Sequence, residues 1–234
     1  MSTLVYIDSN VLKFAATELR RFKPREIQLQ WGPLSIQTVV HDNVTINPND
    51  HIMNAELRSE ADLLPEVAQA GKIGTLNFVQ TAEGLYETWG LPNLDSEAGK
   101  FYGAPIRVLA DIPFAYARVM GGGSINGAEE QMRFLTGIRN ARFQELQRAC
   151  GAYQGATKPP NRNQLLDAFH LWSAEVATCS FLLTLDFKLQ RVFAKSKIAS
   201  SVRIVRPSEL LQEMSLLSDE GRHVGYPTPS CGVE

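Results

Sequence analysis

Short apolar runs alternate with longer stretches of helical periodicity along most of this chain, and that alternation predicts its elements. Leu4–Ile7 is an apolar run of strand-forming residues, followed by the cap-type residues Asp8-Ser9-Asn10 and a helical pattern over Val11–Arg21. Leu34–Ile46 predicts two short strands around His41-Asp42-Asn43. Asn54–Gln69 has helical spacing through Leu57, Ala61, Leu64 and Val67, with Pro65 as an internal breaker. Gly74–Val79 predicts a second strand that leads into a helix carrying Glu83 and Glu87.

The middle of the chain reads differently. Residues 90–127 hold Pro92, Pro105, Pro113 and Gly121-Gly122-Gly123-Ser124, a composition that predicts an irregular insertion with a flexible tip. A long helix is predicted over Ala128–Ala149. Pro159-Pro160 then break the chain, and Asn161 or Asn163 can cap a helix over about Gln164–Thr178. A strand at Phe181–Leu185, a short helix over Lys188–Ala194 and a last strand at Val202–Val205 follow, before Pro207. Strands alternating with helices imply an α/β fold with a parallel sheet covered on both faces. One domain over 1–215 is expected, with insertions near 30–70 and 90–127 and a poorly ordered tail over 216–234.

Acids stand at telling places in this pattern. Asp8 and Asp186 directly follow apolar strands, and in open α/β sheets the ligand crevice lies at the carboxyl ends of the strands. Glu83 near the start of its helix and Asp167 in the first turn of another complete a candidate set, with Glu87 and Glu56 as alternatives to Glu83. Each acid alone can be read as a helix cap or a first-turn charge. Together they would repel one another unless a divalent cation held them, and hard oxygen ligands suit Mg²⁺ or Mn²⁺. Thr184 lies two residues from Asp186 on the same strand face and can orient its carboxylate. Asn10 ties the turn or reaches metal-bound water, and His170 is either a packing histidine or a supporting group behind the acids.

Composition adds a partner. The 234 residues carry a net charge of −2, but the charge is uneven. Residues 131–166 hold Arg133, Arg139, Arg142, Arg148, Lys158 and Arg162 against one acid, Glu145; residues 187–206 hold Lys188, Arg191, Lys195, Lys197, Arg203 and Arg206 against none. Basic segments beside an acidic site suit a polyanion held by its phosphates, with Arg139, Arg142, Lys188 and Arg191 as candidate contacts and Phe101 and Tyr102 as candidate stacking surfaces. Solvated helix faces are the plainer reading of such charge. No apolar stretch reaches the roughly 18–20 residues of a membrane span, the N-terminus reads as lacking a signal peptide, and the widely spaced Cys150, Cys179 and Cys231 suggest reduced thiols in a cytoplasmic protein.

In order along the chain, Ile7-Asp8-Ser9-Asn10-Val11-Leu12, Thr81-Ala82-Glu83, Asp167-Ala168-Phe169-His170-Leu171-Trp172-Ser173-Ala174-Glu175, Leu183-Thr184-Leu185-Asp186 and Arg203-Ile204-Val205-Arg206-Pro207-Ser208-Glu209-Leu210 resemble the PIN-domain family of metal-dependent ribonucleases. The resemblance covers roughly residues 3–17 and 162–211. It implies a three-layer α/β/α sandwich, Mg²⁺ or Mn²⁺ held by Asp8, Glu83, Asp167 and Asp186, and hydrolysis of RNA. Many members of that family are toxins of bacterial toxin–antitoxin pairs, so an antitoxin-like or other protein partner is compatible with it, as is a homodimer. Two other readings stand beside it. One is a nucleic-acid-binding module of the same fold without catalysis. The other is a phosphatase of the haloacid dehalogenase type, whose chemistry wants a second acid two residues after the first, where this chain has Asn10.

Overall fold

The computed structural model describes residues 2–15, 19–46, 52, 54–89, 98–116, 127–153 and 159–220. Its centre is a five-stranded sheet in the order β5-β4-β1-β6-β7, built from β1 (Thr3–Ile7), β4 (Leu76–Thr81), β5 (Ile106–Leu109), β6 (Phe181–Leu183) and β7 (Arg203–Val205). Every pairing in it is parallel. Register sets β1 at the middle, with Val5 beside both Phe78 and Phe181.

Side chains alternate across this sheet as strand geometry requires, and each face builds its own core. Val5, Ile7, Leu76, Phe78, Phe181 and Leu183 point to one side, where they meet α1 (Ser9–Ala15), α3 (Leu64–Lys72) and α9 (Pro207–Glu220). Tyr6, Val79 and Leu182 point to the other, against α5 (Gly127–Gly137), α6 (Ala141–Ala149), α7 (Arg162–Val176) and α8 (Phe187–Ser196). The result is a three-layer α/β/α sandwich. Gly71 shows how closely the layers approach: a Cβ there would lie 2.3 Å from the Phe78 ring.

Several elements depart from the sequence pattern for identifiable reasons. The helix predicted over Val11–Arg21 ends at Ala15, and strand β2 (Leu19–Trp31) begins soon after. It pairs with β3 (Leu34–Ile46) along thirteen rungs, turning at Gly32-Pro33 and not at His41-Asp42-Asn43. Gly32 has φ +58°, which the first central position of a type II′ turn demands. Pro65 divides the helix predicted over Asn54–Gln69 into α2 (Ala55–Asp62) and α3, taking a first-turn place where its missing N–H costs nothing. The helix predicted over Ala128–Ala149 is likewise two, because Asn140 caps α6 by accepting from the Phe143 N–H at 3.0 Å.

The segment expected to be irregular supplies sheet strand β5 and a 3₁₀ turn at Ala98–Gly103. Phe101 is fully buried there and packs edge-on to Phe78 at 5.1 Å, so it is a core residue and not a stacking surface; Tyr102 packs partly buried against it. The Gly121–Ser124 tip lies outside the described residues. Helix α9 runs to Glu220, past the expected start of the tail, and residues 221–234 also lie outside the description. Among the described residues no helix is long and apolar enough to cross a membrane.

Candidate metal centre

β1 is flanked by β4 on one side and β6 on the other, so the chain changes direction about it, and a crevice opens where the strands end. Asp8 is the first residue after β1. Its Oδ2 accepts from Asn10 Nδ2 and from Thr184 Oγ1, both at 2.7 Å. Asn10 Oδ1 in turn accepts from the Leu185 N–H at 3.0 Å, and Thr184 Oγ1 accepts from the Asp186 N–H at 3.0 Å. Two segments 176 positions apart in the chain are thus sewn together by side chains that also aim the Asp8 carboxylate. Asn10 ties the turn in this way, and Thr184 engages the Asp8 carboxylate where the sequence pointed to that of Asp186.

Asp8 is 5% exposed. Burial holds its carboxyl above the usual range, and Glu87 adds to the shift. Asp167, from α7, is raised well above its ordinary value, first by burial and then by the charges of Asp8 and Asp186. Asp167 therefore lies close enough to Asp8 and to Asp186 to feel both charges. Asp186 caps α8: its Oδ1 accepts from the N–H groups of Lys188 at 2.7 Å and Leu189 at 3.1 Å. With Asp167, Lys188, Asn161 and Asn163 it lines a cavity of about 210 Å³.

The acid from α4 (Ala82–Trp89) that joins the cluster is Glu87. Ligand atoms of Asp8, Glu87 and His170 lie within 4.8 Å of one another. Glu83, one turn earlier, instead accepts from Gln131 Nε2 at 2.9 Å, and Gln131 Oε1 accepts from Arg162 Nε at 2.8 Å. Glu56 lies elsewhere, in an ion pair with Arg206. Glu83 and Glu87 share one helix stripe, so periodicity could not separate them. The choice is made by α5, whose Gln131 engages the nearer acid.

His170 is buried behind Glu87. Its Nε2 lies 2.7 Å from Glu87 Oε2, and its Nδ1 lies 2.9 Å from the Tyr6 hydroxyl, which in turn lies 2.8 Å from Thr81 Oγ1. Burial opposes a charge on His170, but Tyr6, Glu87 and Asp8 outweigh it and raise its pKa well above the usual value. Burial pushes Glu87 up, yet His170 beside it and hydrogen bonds from His170 and Ser9 bring it below its ordinary value. Sequence reading missed Tyr6. The available signal was a tyrosine inside a buried strand, whose hydroxyl must find a partner.

This donor set fits a divalent cation. The raised carboxyls of Asp8 and Asp167 carry a repulsion that a cation relieves, while both nitrogens of His170 are engaged by Glu87 and Tyr6.

The expected basic contacts separate in the structure. Arg142 is half-buried and committed, donating to Glu175 Oε1 at 2.6 Å, to Glu145 and to the Ala199 carbonyl. It ties α6 to α7. Lys188 and Arg191 are exposed on α8 beside the Asp186 cap, and Arg139 is exposed at the α5–α6 turn, lining a hollow with Phe114, Phe134 and Trp172. No protein-family model matches the chain, and no curated protein is significantly similar to it.

Proposed function

We propose that the protein is a divalent-metal-dependent hydrolase of phosphodiester bonds, with RNA as its substrate, in the manner of the PIN-domain ribonucleases its motifs resemble. The observation that carries this reading is the convergence of Asp8, Glu87 and His170 within 4.8 Å at the carboxyl ends of β1 and its neighbours, with Asp167 close enough to be raised by Asp8. Asp8, Glu87, Asp167 and Asp186 would hold Mg²⁺ or Mn²⁺ through hard oxygen donors. A cation bound there supplies an activated water and neutralises charge on the scissile phosphate.

The chain's own residues do the rest. Asn10 and Thr184 hold Asp8 in one orientation. Glu87 accepts a hydrogen bond from His170, and the Tyr6–Thr81 pair fixes the far side of the imidazole. Lys188 and Arg191 lie where a phosphate backbone would approach Asp186, and they would hold it by charge. Asn10 is the feature that weighs against a dehalogenase-type phosphatase: both ends of its amide are engaged, and it has no proton to give a leaving group. A cytoplasmic setting agrees with the free, buried thiols of Cys150 and Cys179.

The test is cleavage of an end-labelled single-stranded RNA. Products should form with Mn²⁺, vanish with a chelator, and fall about a thousandfold in Asp8→Asn, the loss of several kcal/mol of transition-state stabilisation. Metal-independent cleavage, or an unchanged rate in Asp8→Asn, would contradict the assignment.

A further inference from the structure

The β2–β3 hairpin stands outside the sandwich and its use is separate from the hydrolase reading. Its strands pack chiefly on each other, and among its residues Leu29, Trp31, Leu34 and Ile36 are 48, 77, 65 and 45% exposed. Register places those four on one face, with Gln28, Gln30, Ser35 and Gln37 on the other. A two-stranded hairpin alone is marginal in water, and thirteen rungs with two open edges call for a third strand.

The two free edges are unlike. On β2 the edge carries Lys23, Arg25 and Glu26, with Pro24 among them. The two-residue turn makes Trp31–Leu34 a hydrogen-bonded rung, and such rungs recur at every second pair. Pro24, opposite His41, falls on the alternate rungs, where N–H groups point outward, so it removes a donor from the β2 edge. Charge and proline are the devices that blunt an edge. On β3 the one acid, Asp42, is paired with Arg25, and the half of the strand next to the turn, Leu34-Ser35-Ile36-Gln37-Thr38-Val39-Val40, holds no charge, no proline and no glycine. Its outward N–H groups belong to Ser35, Gln37 and Val39.

We propose that this edge pairs antiparallel with the β3 edge of a second copy of the chain, about a twofold axis at Gln37, to form a four-stranded sheet β2-β3-β3-β2. The register is self-consistent. Gln37 meets Gln37 of the second copy, and Ser35 meets its Val39, so every outward N–H on these rungs finds an outward carbonyl. Leu34 falls beside Val40 of the second copy, and Ile36 beside its Thr38, with no like charges opposed. Pairing uses up both open edges and leaves the blunted β2 edges outside, so association stops at two.

The experiment combines mass and cross-linking on the full chain. Light scattering after gel filtration should give twice the 26.0 kDa chain mass. In a Cys231→Ser background, Gln37→Cys should form a disulfide-linked dimer under mild oxidation, because directly opposed residues on such a rung lie about 5.5 Å apart at Cα, within disulfide reach. Gln28→Cys, opposite Gln37 on β2, should not. Gln37→Pro should give monomers with the sandwich's melting transition retained. A monomeric native chain, a dimer indifferent to Gln37→Pro, open-ended polymers, or failure of Gln37→Cys to cross-link would each overturn the proposal; the cross-link decides the matter even where the proline unfolds the hairpin.

Discussion

Asp167 lies partly buried between the charges of Asp8 and Asp186, and burial and both charges hold its carboxyl well above the usual range. A carboxyl shifted upward favours its protonated form in the folded state, so its ionisation works against folding once pH exceeds its ordinary value. Asp167→Asn removes that charge while keeping the shape. Metal-free Asp167→Asn should therefore melt a few degrees above the native chain at neutral pH, while the melting rise that Mn²⁺ gives the native chain should shrink or vanish. Thermal melts with and without Mn²⁺ measure both, and a native chain indifferent to Mn²⁺ would contradict this account of the cluster. Tyr6→Phe acts in the other direction. It leaves His170 Nδ1 and Thr81 without their shared hydroxyl in a fully buried setting, and should cost about 1–3 kcal/mol in denaturant titration. The buried thiols give a pH test: burial pushes Cys179 up to about 12 from 9.0. A raised thiol pKa contributes stability that is present below about pH 9 and lost as pH climbs toward 12. Cys179 should thus stay inert to a thiol reagent in the native chain at pH 8 and react on unfolding.

Among the elements, α7 does most to assemble the centre: its buried face runs from Gln164 to Ala174 and brings Asp167 and His170 to the sheet. The strand-end acids Asp8 and Asp186 were legible in sequence because an apolar run followed by an acid says where the chain leaves a sheet. Asn161 was legible as a cap for the same local reason, and its side chain accepts from the N–H groups of Asn163 and Gln164. Glu87 was not separable from Glu83, since the difference lies in Gln131, 48 positions from Glu83 along the chain. β5 was hidden because a short edge strand among prolines carries little periodic signal. The long hairpin was misjudged because β2 is rich in charge and its turn is Gly32-Pro33. Arg142 illustrates the limit of charge counting: it joins α6 to Glu175 on α7 and to the Ala199 carbonyl. Arg142→Ala should cost about 2 kcal/mol or more in stability through its lost charge-assisted bonds, yet leave RNA affinity of the folded protein unchanged. Lys188→Ala with Arg191→Ala should do the reverse, weakening binding and lowering its dependence on salt; fluorescence anisotropy across a salt series separates the two classes.

On the scale of the whole molecule, the sandwich and the hairpin divide the work. The parallel sheet places β1 between β4 and β6, so acids far apart in sequence meet at one end, and the layers of helices bury them enough to make their repulsion matter. That stored repulsion is what a cation would relieve. Crystals soaked in Mn²⁺ and measured at a wavelength where manganese scatters anomalously test this claim directly. An anomalous peak is expected beside the Asp8 and Glu87 carboxylates, with Asp167 turned toward it, and its loss is expected in Asp8→Asn. A soaked crystal with no peak there, or with manganese bound only at surface carboxylates, would contradict it.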